Sequence, residues 1–293
     1  MANREIPLRG IGSRRYVSLQ LGHDRGQRTE SELIDVTAPN AARVSDFLQG
    51  GQANFAADRK AAAAVVELAP SIAAIPVSAR AFRRRVVRYL AADAGMRQFI
   101  DVGHGLLPPG HTHEVAQAVD PACRIVYVEG DPMMFERTRA TLTSAPGGLV
   151  ACAEGDIGDV NGIVLAVADA AMLDPAEPVA VLLLSALAHV PAAADAAKVV
   201  AALMDPAPSG SYLVIYHMAS DLDPSMGAAL KQWNAAAPVP ITLRSSDEVG
   251  ALVTGLELVP PGLVRLNDWR PDDGDPPGAA TQVPIHAVVA RKP

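Results

Sequence analysis

Gln98-Phe99-Ile100-Asp101-Val102-Gly103-His104-Gly105-Leu106 is the stretch that decides the fold. Phe99, Ile100 and Val102 make a short buried strand, Gly-His-Gly ends it, and a helical pattern starts near Thr112. Glycine at 103 and 105 permits a tight turn and lets a ligand approach the backbone with no Cβ in the way. The same unit recurs downstream. Arg124 to Val128 is a second strand, ending in Glu129-Gly130-Asp131-Pro132 and followed by a helix through Leu142. Leu149 to Ala153 is a third, ending at Glu154-Gly155-Asp156; Val179 to Ser185 is a fourth and Ser211 to Tyr216 a fifth. Positions 101, 129 and 156 are 28 and 27 residues apart, the length of a βα unit. Apolar strands alternating with helices predict a mostly parallel α/β sheet covered on both faces. Leu256 to Leu266 and Ile285 to Arg291 carry strand patterns with a loop (272–278) and no helix between them, which predicts a closing antiparallel hairpin.

Upstream of this core the pattern is helical. Asn40 to Leu48 reads as a helix stopped by Gly50-Gly51, Asn54 as the N-cap of an alanine-rich helix ending before Pro70, and Ser78 as the cap of a third helix running to Asp93. On that third helix Phe82, Val86, Tyr89 and Leu90 form one apolar stripe. Arg80, Arg84 and Arg88 face the other way, with Arg83 and Arg85 beside them. Such a row either grips an anion or is simply solvated. Before Pro39 the chain changes character, with six arginines and two acids up to Arg28, and reads as a flexible tail. The boundaries expected are therefore 1–36 for the tail, 37–95 for a helical cap and 96–293 for the α/β domain.

With 293 residues, 49% hydrophobic and 19% charged, the chain can bury a substantial core. A net charge of −7 and an aromatic content of 4% argue against nucleic-acid binding. Val179 to Val190, the longest strongly apolar stretch, is well short of a bilayer span, and no signal peptide is recognisable, so no membrane partner and a cytoplasmic location are expected. Cys123 and Cys152 are too few for a disulfide framework or a thiolate zinc site and read as buried fillers. His111 and His113 are two residues apart and diverge on a helix, so no metal site is expected.

In an open parallel sheet the ligand lies beyond the carboxyl ends of the strands. A dinucleotide loop would need a third glycine where Pro108 stands, and prolines offer no N–H to a pyrophosphate. S-adenosylmethionine has no phosphate and needs only a glycine turn and acids for its ribose and ammonium groups. Glu129 can accept from both ribose hydroxyls. Asp156 can accept from the adenine amino group with Ile157 against the ring, and Asp101 can hold the loop or the methionine cation. Gly103, His104 and Gly105 form the turn, Gly130 and Asp131 follow Glu129, and Ser185 closes the fourth strand; all are candidate cofactor contacts. His189, just after that strand, is the candidate general base beside the methyl donor, and His217 is a second histidine of the same kind.

These residues resemble a family. Asp101-Val102-Gly103-His104-Gly105-Leu106, His113-Glu114-Val115-Ala116-Gln117 and Val126-Tyr127-Val128-Glu129-Gly130-Asp131-Pro132 are similar to signatures of an S-adenosylmethionine-dependent methyltransferase family long listed as a domain of unknown function. Pro39 to Val44, Phe47 to Gly51 and Asn54 to Arg59 resemble its amino-terminal helical segment, and Gly255 to Val259, Pro261 to Val264 and Trp269-Arg270-Pro271 its ending. The resemblance implies a seven-strand, class I Rossmann-like sheet with the helices over the cofactor cleft, and Arg43, Asn54 and Phe55 as cap contacts. His104 stands where a small residue is usual, Glu129-Gly130 where Asp-Asn is usual, and Ser45 where a tyrosine is usual. The activity implied is methyl transfer to an O, N or C nucleophile of a small molecule. A non-catalytic cofactor-binding sensor and an NAD-dependent oxidoreductase are the alternatives.

Overall fold

The computed structural model describes residues 35–103, 105, 110–170, 172–276, 278–279 and 281–293. The tail up to residue 34, His104 and the proline-bearing segment 106–109 lie outside them. Strands β1 (Gln98–Val102), β2 (Arg124–Glu129), β3 (Leu149–Glu154), β4 (Ala180–Leu184) and β5 (Tyr212–Met218) are parallel. Strand β8 (Ile285–Arg291) runs antiparallel to β5, and on its other side it pairs antiparallel with β6 (Glu257–Leu258) and β7 (Val264–Arg265). The order is β3-β2-β1-β4-β5-β8-β6, with β7 on β8. Among the described residues the sheet thus has eight strands where seven were expected. The extra one arises because Leu256 to Leu266 forms two short strands in place of one: Pro260 and Pro261 have no N–H to give a ladder.

Successive residues of a strand face opposite sides, and here both sides are buried. Ile100, Val126, Val128, Val181, Leu183, Leu213 and Ile215 share one core with helices α6 (Val160–Asp169) and α7 (Ala193–Met204). Phe99, Ile125, Tyr127, Leu182, Val214 and Tyr216 share the other with Phe82, Val86 and Leu90 of α3 (Ile75–Ala92) and with Trp269. Trp269 is fully buried and meets Phe82 and Tyr89 edge to face. A third cluster joins α1 (Ala41–Leu48), α2 (Ala56–Leu68) and α8 (Met226–Ala236) with Ala188, just past β4.

Asn40 caps α1, its Oδ1 accepting from Ala42 N and Arg43 N. Two expected caps are corrected. Phe55, not Asn54, precedes α2, and its N–H donates to Asp58 one turn on (2.8 Å), while the Asn54 amide is drawn off to Asp46 and the Gly51 carbonyl. Ser78 lies inside α3, which starts at Ile75 with Pro76 in its first turn, and the Ser78 hydroxyl accepts from Asn267 instead. The arginine row of α3 is mostly spent on the loop before β8. Arg84 and Arg85 pair with Asp275 (2.9 and 2.5 Å), Arg88 pairs with Asp272, and Arg85 also donates to the Trp269 and Leu266 carbonyls.

Candidate functional site

The strand order reverses between β1 and β4, and in a sheet of this topology a ligand crevice is expected at the carboxyl edge between them. Gly103 and Gly105 both take left-handed backbone (φ 68° and 66°), which glycine adopts without a steric penalty. They are also tightly approached: a Cβ on Gly103 would come within 3.2 Å of the Ala186 Cβ, and one on Gly105 within 3.2 Å of the Ala42 Cβ. Gly103 is therefore seated against the end of β4 and Gly105 against helix α1. Ser185, at the end of β4, is held at φ 72° with its N–H on the Tyr216 carbonyl. A non-glycine residue in that region marks stored strain, which clusters at ligand sites.

Glu129 ends β2 and is 6% exposed. One carboxylate oxygen accepts from Gly105 N and the other from Asp131 N, both at 3.0 Å. Burial pushes its pKa up to about 7, against the pull of those N–H groups. Asp131 is the N-cap of α5 (Pro132–Thr141), accepting from Met133 N and Met134 N, and its second oxygen takes the Asn40 amide from the helical segment (3.0 Å). The ends of β2 and β3 are adjacent, since a Cβ on Gly130 would lie 3.2 Å from the Asp156 Cα. Asp156 is exposed, with one oxygen on Gly158 N (2.8 Å), and Ile157 leans on the core below.

Asp101 is fully buried. Its Oδ2 accepts from the Thr112 hydroxyl (2.6 Å) at the start of α4 (Thr112–Val119), its Oδ1 has no hydrogen-bond partner among the described residues, and burial raises its pKa. His113 Nδ1 meets the Tyr127 hydroxyl at 2.8 Å. Among the described residues no group of three or more His, Cys, Asp or Glu could hold a metal ion. Cys123 and Cys152 are both buried, and burial raises both thiol pKa values, that of Cys123 to about 11.

His189 ends the 3-10 turn Ala186–His189, with Nδ1 3.2 Å from the Pro240 carbonyl. A carbonyl only accepts, so Nδ1 carries the proton and Nε2 is the basic nitrogen of the neutral ring. His217 differs. It is fully buried, Nδ1 lies on the Met218 carbonyl and Nε2 on Arg244 (2.5 Å), and burial lowers its pKa to about 4. Both ring nitrogens are occupied by structural bonds, so His217 is no general base.

The cap contacts hold the helical segment together. Arg43 is buried, pairs with the fully buried Asp58 (2.9 Å), donates to the Asp35 and Ala38 carbonyls and lies over the Phe55 ring (5.2 Å). Asp58 also accepts from Asn40 N and Phe55 N. Asn54 accepts from Arg59 (2.9 Å) as well as bonding Asp46. Sequence reasoning missed Asp58, Asp46, Arg244 and the Asp272–Asp275 tether. The one available signal was charge: an acidic loop of unassigned role alongside a helix with an arginine row.

A parallel sheet reversing at a glycine turn, with an acid closing the neighbouring strand, is the arrangement of a Rossmann-like, class I methyltransferase fold. Residues 27–293 match the S-adenosyl methyltransferase family, and the chain belongs to it. A DUF574 family protein from Streptomyces avermitilis is 33% identical, with a TM-score of 0.82 over 88% of this chain and 99% of that one. A protein from Thermobifida fusca whose methyltransferase activity is presumed is also 33% identical, with a TM-score of 0.78 over 88% of this chain and 96% of its own. No curated protein matches the chain. The protein is thus an S-adenosylmethionine-dependent methyltransferase with a methyl acceptor as its second substrate. Among the described residues no helix is long and apolar enough to cross a membrane.

Proposed function

We propose that the crevice between β1 and β4 binds S-adenosylmethionine with its ribose on Glu129 and that the acceptor is a small molecule carrying an O, N or C nucleophile. The observation that carries this reading is the Glu129 carboxylate, anchored by Gly105 N and Asp131 N at the mouth of the glycine turn. A carboxylate has about four acceptor positions, enough to fix the turn and take ribose hydroxyls together. Gly103 and Gly105 border the methionine portion, Gly130 and Asp131 flank the ribose, and Asp156 with Ile157 meets the adenine. Asp101 and Ser185 close the crevice from the ends of β1 and β4. Arg43, Asn54 and Phe55 act on the site by holding α1 in place, and α1 presses on Gly105 through Ala42.

The cofactor supplies an activated methyl group on a sulfonium. What the chain contributes is alignment, exclusion of water by α1, α2 and α8, and proton removal. With the cofactor held by Glu129 and the glycine turn, its sulfonium would supply the methyl group to the acceptor atom and would keep the electron pair of the broken carbon–sulfur bond. The acceptor's proton passes to His189 Nε2. The helical cover favours a small acceptor over a macromolecular one, since a bulky partner has to displace it.

Isothermal titration with S-adenosylhomocysteine tests the reading. Glu129→Ala abolishes measurable binding while thermal unfolding stays near wild type, because losing a costly buried carboxyl offsets the two N–H groups left unmet. Unchanged affinity in that variant removes the assignment.

A further inference from the structure

His189 sits in a turn too short to hold itself. Ala186–His189 is four residues of 3-10 helix, and it starts from Ser185 in left-handed backbone. What holds it is a segment far along the chain, Pro240 to Arg244. The Pro240 carbonyl lies 3.2 Å from His189 Nδ1, and Thr242 N donates to the Ala188 carbonyl at 2.8 Å. The Arg244 guanidinium donates to the Leu187 carbonyl (2.8 Å) and to the Val190 carbonyl. Four consecutive residues, Leu187 to Val190, are thus each bonded to this one segment.

The segment is itself fixed on two sides. Arg244 N donates to the Met218 carbonyl at the end of β5, and Ser220 N donates to the Arg244 carbonyl, both at 3.1 Å. Asn234 of α8 exchanges two bonds with Ile241, its amide donating to the Ile241 carbonyl (2.9 Å) and its oxygen accepting from Ile241 N (2.8 Å). Pro238 and Pro240 fix φ between these anchors. Arg244 is 1% exposed and makes no ion pair among the described residues. A buried cation without a carboxylate is costly. Here two turn carbonyls and the His217 Nε2 (2.5 Å) surround it, and its planar fork suits acceptors at fixed spacing. His217 has its Nδ1 on the Met218 carbonyl, so it presents an unprotonated Nε2 to the guanidinium.

We propose that Arg244 and Asn234 are positioning residues for His189: through the 240–244 segment they fix the ring with Nδ1 protonated and Nε2 as its basic nitrogen. The proposal rests on the reading of His189 as the base and adds the residues that keep it in that form. Both act through His189; neither takes part in bond making.

Long-range proton–nitrogen spectra of the 15N-labelled protein at about pH 8.5, well above the ordinary histidine pKa, read each histidine's tautomer, and His189→Gln assigns the signal. The wild type shows His189 as the Nδ1–H form. Asn234→Ala, at an exposed position, and Arg244→Met each turn it over to the Nε2–H form that a free neutral ring prefers. Arg244→Lys, which keeps a donating cation, restores Nδ1–H in part. A residue that only supported the fold would lower the unfolding midpoint and leave the tautomer of folded molecules unchanged. Nδ1–H kept in folded Asn234→Ala or Arg244→Met overturns the role of that residue, and Nε2–H in the wild type overturns the proposal outright. Where Arg244→Met does not fold, Asn234→Ala decides. S-adenosylhomocysteine is titrated into the same samples. It binds Asn234→Ala within about twofold of wild type, which shows that the variant is folded, and it shifts the His189 signals of the wild type. If the tautomer changes as expected but the bound nucleoside leaves those signals where they were, the base reading fails, and the positioning role falls with it.

Discussion

Glu129 and His217 are both buried titratable groups, and burial moves their pKa values in opposite directions because one is charged when deprotonated and the other when protonated. Glu129, with a pKa of about 7, is partly protonated at neutral pH before ligand arrives. On the proposed reading, ribose hydroxyls donate to it and favour the ionised form, so binding releases a proton. S-adenosylhomocysteine should therefore bind about tenfold more tightly at pH 8 than at pH 6, and Glu129→Gln should remove that dependence; calorimetry at the two pH values reads both. Burial holds the pKa of folded His217 at about 4, below the ordinary histidine value of about 6.5. Above 6.5 both states are neutral and it costs nothing. As pH falls from 6.5 towards 4 the unfolded chain takes up the proton first and stability is lost. Relative to His217→Gln, the wild type should lose about 3 kcal/mol between pH 7 and pH 4 in denaturant titrations; equal pH profiles contradict the buried neutral assignment.

Helix α1 touches the glycine turn, and its position depends on Arg43 and Asp58 more than on its own length of eight residues. Removing one partner of a buried pair leaves the other charged and unmet. Asp58→Ala should cost about 3–5 kcal/mol in chemical denaturation and weaken S-adenosylhomocysteine binding as well, since Asn40 and Phe55 lose their acceptor together with Arg43. A loss of stability with full affinity would show that α1 does not shape the site. At the other end, Asp275→Ala frees Arg85, which is 3% exposed, and should destabilise the protein by a similar mechanism without changing ligand affinity. The elements themselves were legible: β1 and β8 occur with the bounds the residues predict, because apolar runs bounded by glycine and polar loops carry their own period. Caps were less legible. Asn54 and Ser78 have the right chemistry for N-caps, but tertiary acceptors and donors claimed both side chains.

At the scale of the molecule, the proposed site lies where three strand ends and one helical segment, far apart in sequence, come together. Strand-end acids were readable because the sheet's period places Asp101, Glu129 and Asp156 at one edge. Their environments were not, because burial depends on what covers that edge: Asp101 is sealed under α4, Glu129 is held by the turn, and Asp156 stays in solvent. Nor could sequence separate Arg84, Arg85 and Arg88, which tether the loop before β8, from Arg80 and Arg83, since the loop's course sets that division. The most direct test is a crystal structure with S-adenosylhomocysteine bound. The account predicts both ribose hydroxyls within hydrogen-bond distance of the Glu129 carboxylate, with the adenine beside Ile157; a nucleoside seated elsewhere, or a ribose held by another residue, contradicts it.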